Sequence, residues 1–170
     1  PFSPSHWTSL LAAGDLVVGP IRPGMIRELA EELRDCDREE LEAANFSPVE
    51  EIIRQSVNLS TCSCAATTPD GKLVALFGVA PPTLVGETAA IWMLATNRLY
   101  KHGLSATKIA RRFIKYSLKV YPHLENWVYE GNTASIEWLR VLGFTVEKAA
   151  PHGAKGNMFH RFHMRLYNDV

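Results

Sequence analysis

The sequence predicts an α/β domain: a mixed sheet of about seven mostly antiparallel strands, with helices on both faces. Three observations predict it. β-rich runs and helical periodicities alternate along the chain. The run from Glu87 to Ala95 is almost wholly apolar, as in a strand buried on both faces. Asn132 and Gly143 bracket an amphipathic stretch, as an N-cap and a C-terminal stop would.

The elements follow in order. Residues 1–15 read as an N-terminal extension with a helical turn around Trp7 to Ala13. Leu16 to Ile21 is a short apolar run, taken as a first strand. Pro23 suits a helix's first turn, and Met25 to Leu33 has helical apolar spacing. A second helix is expected over Arg38 to Ala44. Ser47-Pro48 opens a third, with Val49, Ile52, Ile53 and Val57 on one side. The β-rich runs TCSCAATT and KLVALFGVA flank Pro69-Asp70-Gly71 and predict a hairpin. Glu87 to Ala95 is the fourth strand.

Ser105 is expected to cap a helix running to Val120. Its apolar face carries Ile109, Phe113, Tyr116 and Val120, and its opposite face Lys108, Arg112, Lys115 and Lys119. Leu124 to Tyr129 is a fifth strand, and 133–142 a helix. Phe144 to Lys148 and Met158 to Leu166 pair as a last hairpin, across a loop with Pro151, Gly153 and Gly156. The 170 residues suit one domain of about 100–200 residues, spanning 1–170.

Composition excludes several function classes. Formal net charge is +0, whereas general nucleic-acid binders carry a basic excess. The charges are segregated: ten of the 18 acidic residues lie between Glu28 and Glu51. Between Glu87 and Glu125 there are seven Lys and Arg residues and no acid. No apolar run is long enough to span a membrane, and the N-terminus lacks a signal peptide's basic start and apolar core. Cys36, Cys62 and Cys64 form no disulfide framework and point to a reducing, cytoplasmic setting. Cys62 and Cys64 share a strand face, but no second pair completes a zinc site. His160 and His163, three apart on a strand, face opposite sides, so no metal is expected.

The tail VYEGNTASIEWLRVLGF, with its N-x10-G-F spacing from Asn132 to Gly143-Phe144, resembles the GNAT superfamily of acyl-CoA N-acyltransferases. The interior NTASIEWLRVLGF is most similar to the ribosomal-protein acetyltransferase branch, through Ser135 and Leu139. An Asn-capped helix between two strands is also common elsewhere; the element order strengthens the likeness. The resemblance implies acetyl-CoA as donor. Pantetheine would lie along the fourth strand where it splays from the fifth, and the diphosphate at the following turn, where free amides and the helix dipole favour anions.

The cofactor-facing positions are then Leu94, Thr96, Lys101, His102, Gly103, Leu104, Ser105, Asn132 and Ser135. The family's turn reads V-x-P-x-x-R-G-x-G-x-G/A. Here Thr96 takes the Val position, Lys101 the Arg position, and His102, Leu104 and Ala106 the glycine positions, with Gly103 off by one. Those side chains stand where glycines let the backbone approach phosphate. Lys101, Lys108 and Arg111 offer cations to an anion, or form a solvated helix face.

The family's strand-four Glu falls at Ala90, with Glu87 the nearest acid; the family's Tyr falls at Leu139, with Tyr129 and Tyr100 nearby in sequence. Glu87 and Tyr129 are therefore the catalytic candidates, as base and thiolate-protonating acid. The stretch from Tyr121 to Phe144 also resembles the GNAT-like proteins of short-tailed bacteriophages, including internal virion proteins. In those a degenerate phosphate loop is usual and a Trp near Trp92 common.

Two functions compete. One is acetyl transfer from acetyl-CoA to an amine of a protein or small molecule, in a host cytoplasm or virion if phage-encoded. The acidic Glu28–Glu51 region would draw the cationic acceptor, or is a solvated face. The other is a catalytically silent GNAT-fold phage protein in virion assembly or bound to a host protein. It expects the cleft between strands four and five to be filled by side chains such as Trp92 or His102.

Overall fold

The computed structural model of the protein describes residues 13–83 and 86–166. The helical turn expected around Trp7 lies outside them except for Ala13. The elements are β1 (Val17–Gly19), α1 (Met25–Glu32), α2 (Asp35–Ala44), α3 (Val49–Leu59), β2 (Cys62–Thr67), β3 (Leu73–Ala80), β4 (Thr88–Ala95), a 3-10 turn (Asn97–Lys101), α4 (Gly103–Val120), β5 (His123–Tyr129), α5 (Thr133–Leu142), β6 (Thr145–His152) and β7 (Asn157–Arg165). The seven strands form one sheet in the order β1-β2-β3-β4-β5-β7-β6. Every neighbouring pair is antiparallel except β4 and β5.

Two apolar clusters fill the two faces of the sheet. Met25, Leu29, Leu33 and Ile53 from α1 to α3 pack with Leu73, Leu76 and Leu94. Ile109, Phe113, Ile136 and Leu139 from α4 and α5 pack with Ile91, Leu124, Val128 and Phe162 on the other side. β4 supplies both through the alternation of a strand: Leu94 to one face, Ile91 and Ala95 to the other. Its burial between two helical layers explains its apolar composition.

The turns follow their local chemistry. Gly71 has φ 89° in the Pro-Asp-Gly turn, where Thr68 N–H donates to Lys72 C=O at 2.9 Å. Asn132 Oδ1 accepts from Ser135 N–H at 3.3 Å, and Gly143 ends α5 at φ 98°.

Four expectations need correction. β1 spans only three residues, ending at Gly19 because Pro20 has no N–H for the ladder. α2 starts at Asp35, not Arg38, its N-terminal carbonyl supplied by Arg34 to Arg38 N–H. Val120 is exposed at the end of α4, whose buried face is Ile109, Phe113, Ile114 and Leu118. β6 runs on through Pro151 to His152, since as the edge strand it tolerates a residue without N–H.

Replacing Gly143 with Ala forces a Cβ into a left-handed conformation. Gly143→Ala should cost about 1 kcal/mol in urea unfolding, read as a lower midpoint at constant slope.

Candidate functional site

The site grows from one irregularity. β4 and β5 pair only over Thr88–His123, Ala89–Leu124 and Ala90–Glu125, although β4 continues to Ala95 and β5 to Tyr129. The two strands then diverge. Thr96 N–H donates to Val74 C=O. With the β3–β4 register, that turns the backbone groups of Ile91, Met93 and Ala95 away from β3 and into the gap.

Most of these backbone groups are met by side chains. Asn126 bridges the strands: its Nδ2 donates to Ile91 C=O at 3.0 Å, and its Oδ1 accepts from Trp127 N–H at 2.9 Å. Arg34 N–H donates to Ala95 C=O at 2.9 Å, and Ala95 N–H donates to Asp37 Oδ2 at 2.9 Å. Asp37 is held in turn by Arg34, through Nε at 3.0 Å and Nη2 at 2.6 Å. On the β5 side, Tyr129 N–H donates to Glu40 Oε2 at 2.9 Å, as does Asn132 Nδ2 at 3.1 Å. Among the described residues, Met93 is left with backbone N–H and C=O facing the gap unengaged by any side chain.

A cavity of ≈ 270 Å³ passes through this gap. On the α2–α3 side it is lined by Glu40, Asn45, Trp92, Trp127 and His152. On the other side it meets Ile109, Phe113, Ser135, Trp138 and Leu139. The rings on the first side form a cluster. Trp127 stacks on His152 with centroids 4.0 Å apart and 10° between planes, and Phe159 meets both His152 and Tyr129.

The two carboxylates of α2 that reach the strand edges, Asp37 and Glu40, differ in their partners. Asp37 is neutralised by a bidentate guanidinium. Among the described residues Glu40 has no cation in contact: burial pushes its carboxyl up to about 7, against the hydrogen bond from Tyr129 N–H. Burial also lowers the His152 imidazole, which favours its neutral form beside Trp127.

The expected residues divide. Ser135 lines the cavity and Asn132 caps α5 beside it. Leu94 and Met93 lie on the gap strand. Thr96 is buried as the cap of the 3-10 turn, its hydroxyl donating to Leu73 C=O at 3.1 Å. Lys101, Gly103 and Leu104 are exposed at the start of α4. Ser105 is not the cap of α4, which begins at Gly103; its hydroxyl donates to Asp15 Oδ1 at 2.5 Å. His102 Nδ1 lies 2.6 Å from Asp15 Oδ2. The Ser105 hydrogen bond, then that of His102, holds the Asp15 carboxyl below its ordinary range. Gly14 packs so close that a Cβ there would lie 2.3 Å from Ser105 Oγ. The first turn of α4 thus carries an anion of the chain itself.

Glu87 is exposed at the paired end of β4, apart from the gap. Tyr129 reaches the gap through its backbone, while its ring packs on Phe159. Trp92 lines the cavity and donates from Nε1 to Ser60 Oγ at 2.9 Å. The side chains on the strand edges are Asn126, Asp37 and Glu40, not Trp92 or His102. Sequence reading missed Arg34, Asp37, Glu40 and Asn126. Arg34, Asp37 and Glu40 recur every three residues, the spacing of one helix face.

Comparison with known proteins places the fold. The sequence matches no family model and no curated protein. Solved structures match closely in shape. An acetyltransferase of the GNAT family from Bacillus anthracis has TM-score 0.65 at 17% identity, over 90% of this chain and 96% of its own. The spermidine N-acetyltransferase of Vibrio cholerae, in complex with CoA and spermine, has TM-score 0.65 at 13% identity, over 89% and 95%. A Vibrio cholerae protein provisionally assigned as a ribosomal-protein-serine acetyltransferase has TM-score 0.65 at 15% identity, over 92% and 97%. The chain has the GNAT fold. Its described helices include none long and apolar enough to cross a membrane.

Two outcomes follow from the carboxylates. Arg34 and Asp37 are 4% and 2% exposed. Asp37→Ala should therefore cost about 3–5 kcal/mol in chemical denaturation, because it strands a buried guanidinium. Glu40 has its folded value near 7 against an ordinary 4.5. Its protonation stabilises the fold fully below 4.5, and this is lost as pH rises through 7. Glu40→Gln, which keeps the accepting oxygen, should remove that loss of order 3 kcal/mol. Thermal melts from pH 4 to 8 read the difference.

Proposed function

We propose that this chain transfers an acetyl group from acetyl-CoA to an amine, with donor and acceptor meeting in the β4–β5 gap. The observation that carries the reading is a cavity through the sheet, with the Met93 edge and Glu40 on its wall. Acetyl-CoA supplies the activated acyl group. Met93 N–H is the donor available for a carbonyl oxygen in the gap. Glu40, with a carboxyl near 7, takes up a proton from the incoming ammonium and frees its lone pair. Transfer forms the N–C bond and breaks the C–S bond. One ammonium proton ends on the thiol, and the other leaves through Glu40 to solvent. The exposed acids Glu31, Asp35, Glu39 and Glu42 on α1 and α2 favour a cationic acceptor.

The fit differs along the donor. The gap suits the acyl-thioester arm. The start of α4, where the resemblance puts the diphosphate, carries Asp15 on His102 and Ser105. That occupancy, with Asp37 on Ala95 N–H, favours a second reading. In it the domain is a silent GNAT-fold protein of a phage, bound to a virion or host protein.

Calorimetry separates the two. The transferase reading expects saturable acetyl-CoA binding and multiple-turnover acetylation. No heat at millimolar acetyl-CoA would leave the binding module. If transfer occurs, kcat/KM should rise with pH through about 7 as Glu40 loses its proton. Glu40→Gln should lower kcat by about 10²–10⁴-fold, the range for a lost general base, with an unchanged circular dichroism spectrum.

A further inference from the structure

We propose that the α2–α3 side of the cavity is a subsite for a primary monoamine on an aromatic body, with Glu40 pairing the ammonium and the Trp127–His152 stack receiving the ring. This rests on the transferase reading above and names the acceptor class of that site.

The argument begins with what can hold charge. Of the described side chains lining that part of the cavity, only Asp37 and Glu40 are acids. Asp37 is spent: Arg34 holds both its oxygens, and Ala95 N–H takes one of them. Asn126 is spent on Ile91 C=O and Trp127 N–H. Glu40 uses Oε2 for both its donors, so Oε1 is the oxygen left for a ligand. One ammonium can be paired there. A second cation drawn into the cavity would be desolvated with no partner, which is strongly unfavourable. The further acids of α2, Glu39 and Glu42, are exposed on its outer side.

The remaining wall is aromatic. Trp92, Trp127, His152 and Phe159 all line the cavity. Trp127 and His152 lie parallel at 4.0 Å, and Phe159 meets His152 edge-on at 5.7 Å. Such faces favour a flat apolar group by stacking and attract an adjacent ammonium by cation–π contact. The Tyr129 and Asn132 bonds fix Glu40 at the same end as these rings. The whole cavity, at ≈ 270 Å³, has room for a compact aromatic body, and selection against a longer polyamine rests on the single free carboxylate oxygen and the aromatic wall.

The test is a tryptophan-fluorescence titration of the full chain without acetyl-CoA, using phenethylamine, phenethyl alcohol and spermidine. Phenethylamine should bind at least ten-fold tighter than either other probe, and Glu40→Gln should lose at least ten-fold of that affinity. Spermidine binding as tightly as phenethylamine, or a Glu40→Gln variant that binds phenethylamine unchanged, overturns the subsite. A Trp127→Leu variant, folded by circular dichroism, should also lose phenethylamine affinity; full retention counts against the ring platform. Acetylation assays with the same amines separate the two claims. Selective phenethylamine binding without any acetylation removes the transferase reading and keeps the subsite. Acetylation that prefers spermidine keeps the transferase reading and removes the subsite.

Discussion

Two parallel strands that pair over three residues and then part leave backbone groups facing each other across a space no ladder can close. Buried N–H and C=O groups cannot stay unpaired without cost. Everything near the gap answers that constraint. The α2 helix is placed so that Asp37 reaches Ala95 and Glu40 reaches Tyr129. Asn126 spans the strands at the point of divergence, its amide serving one edge and its carbonyl the other. The helical layer on this face therefore acts as polar closure as well as apolar cover.

The closure is selective, and the selection gives the gap its chemistry. Arg34 neutralises Asp37, so the β4 end is sealed by a fully satisfied ion pair. Glu40 has backbone and amide donors but no cation, and burial makes its charge marginal. A carboxyl that is structurally anchored yet poised between charge states combines positioning with proton exchange. Met93, between the two sealed points, keeps its backbone groups turned into the cavity. The same wall thus holds the fold together at two places and leaves one place open.

Much of this was legible in the residues. Asn132, Gly143, Pro69-Asp70-Gly71 and the apolar β4 fix their elements by local chemistry, and the fold followed from their order. The gap was legible only through resemblance, because nothing in TAAIWMLA or HLENWVY marks where pairing stops. Glu40 was hidden for a different reason. Ten acids crowd Glu28 to Glu51, and sequence does not say which of them turns inward. The three-residue spacing of Arg34, Asp37 and Glu40 was visible, but it needed the partner strand ends to acquire meaning. Ser105 misled because Ser is a good N-cap in isolation. A residue 90 positions away in sequence, Asp15, takes its hydroxyl instead.

Asp15 also bears on how binding and transfer relate. A helix start favours an anion, and here the chain supplies one. In the proposed function a diphosphate at the start of α4 would meet that carboxylate, which already engages the His102 and Ser105 side chains. Nothing in that exchange touches Glu40, Met93 or the aromatic wall on the far side of β4. The two ends of the site are therefore energetically separable. In the proposed function, the departures from the glycine-rich turn would weaken donor capture without altering the groups proposed to act on an amine. On the proposed function, the missing glycines of the turn would thus bear on donor affinity, and the proton transfer in the gap would rest on Glu40.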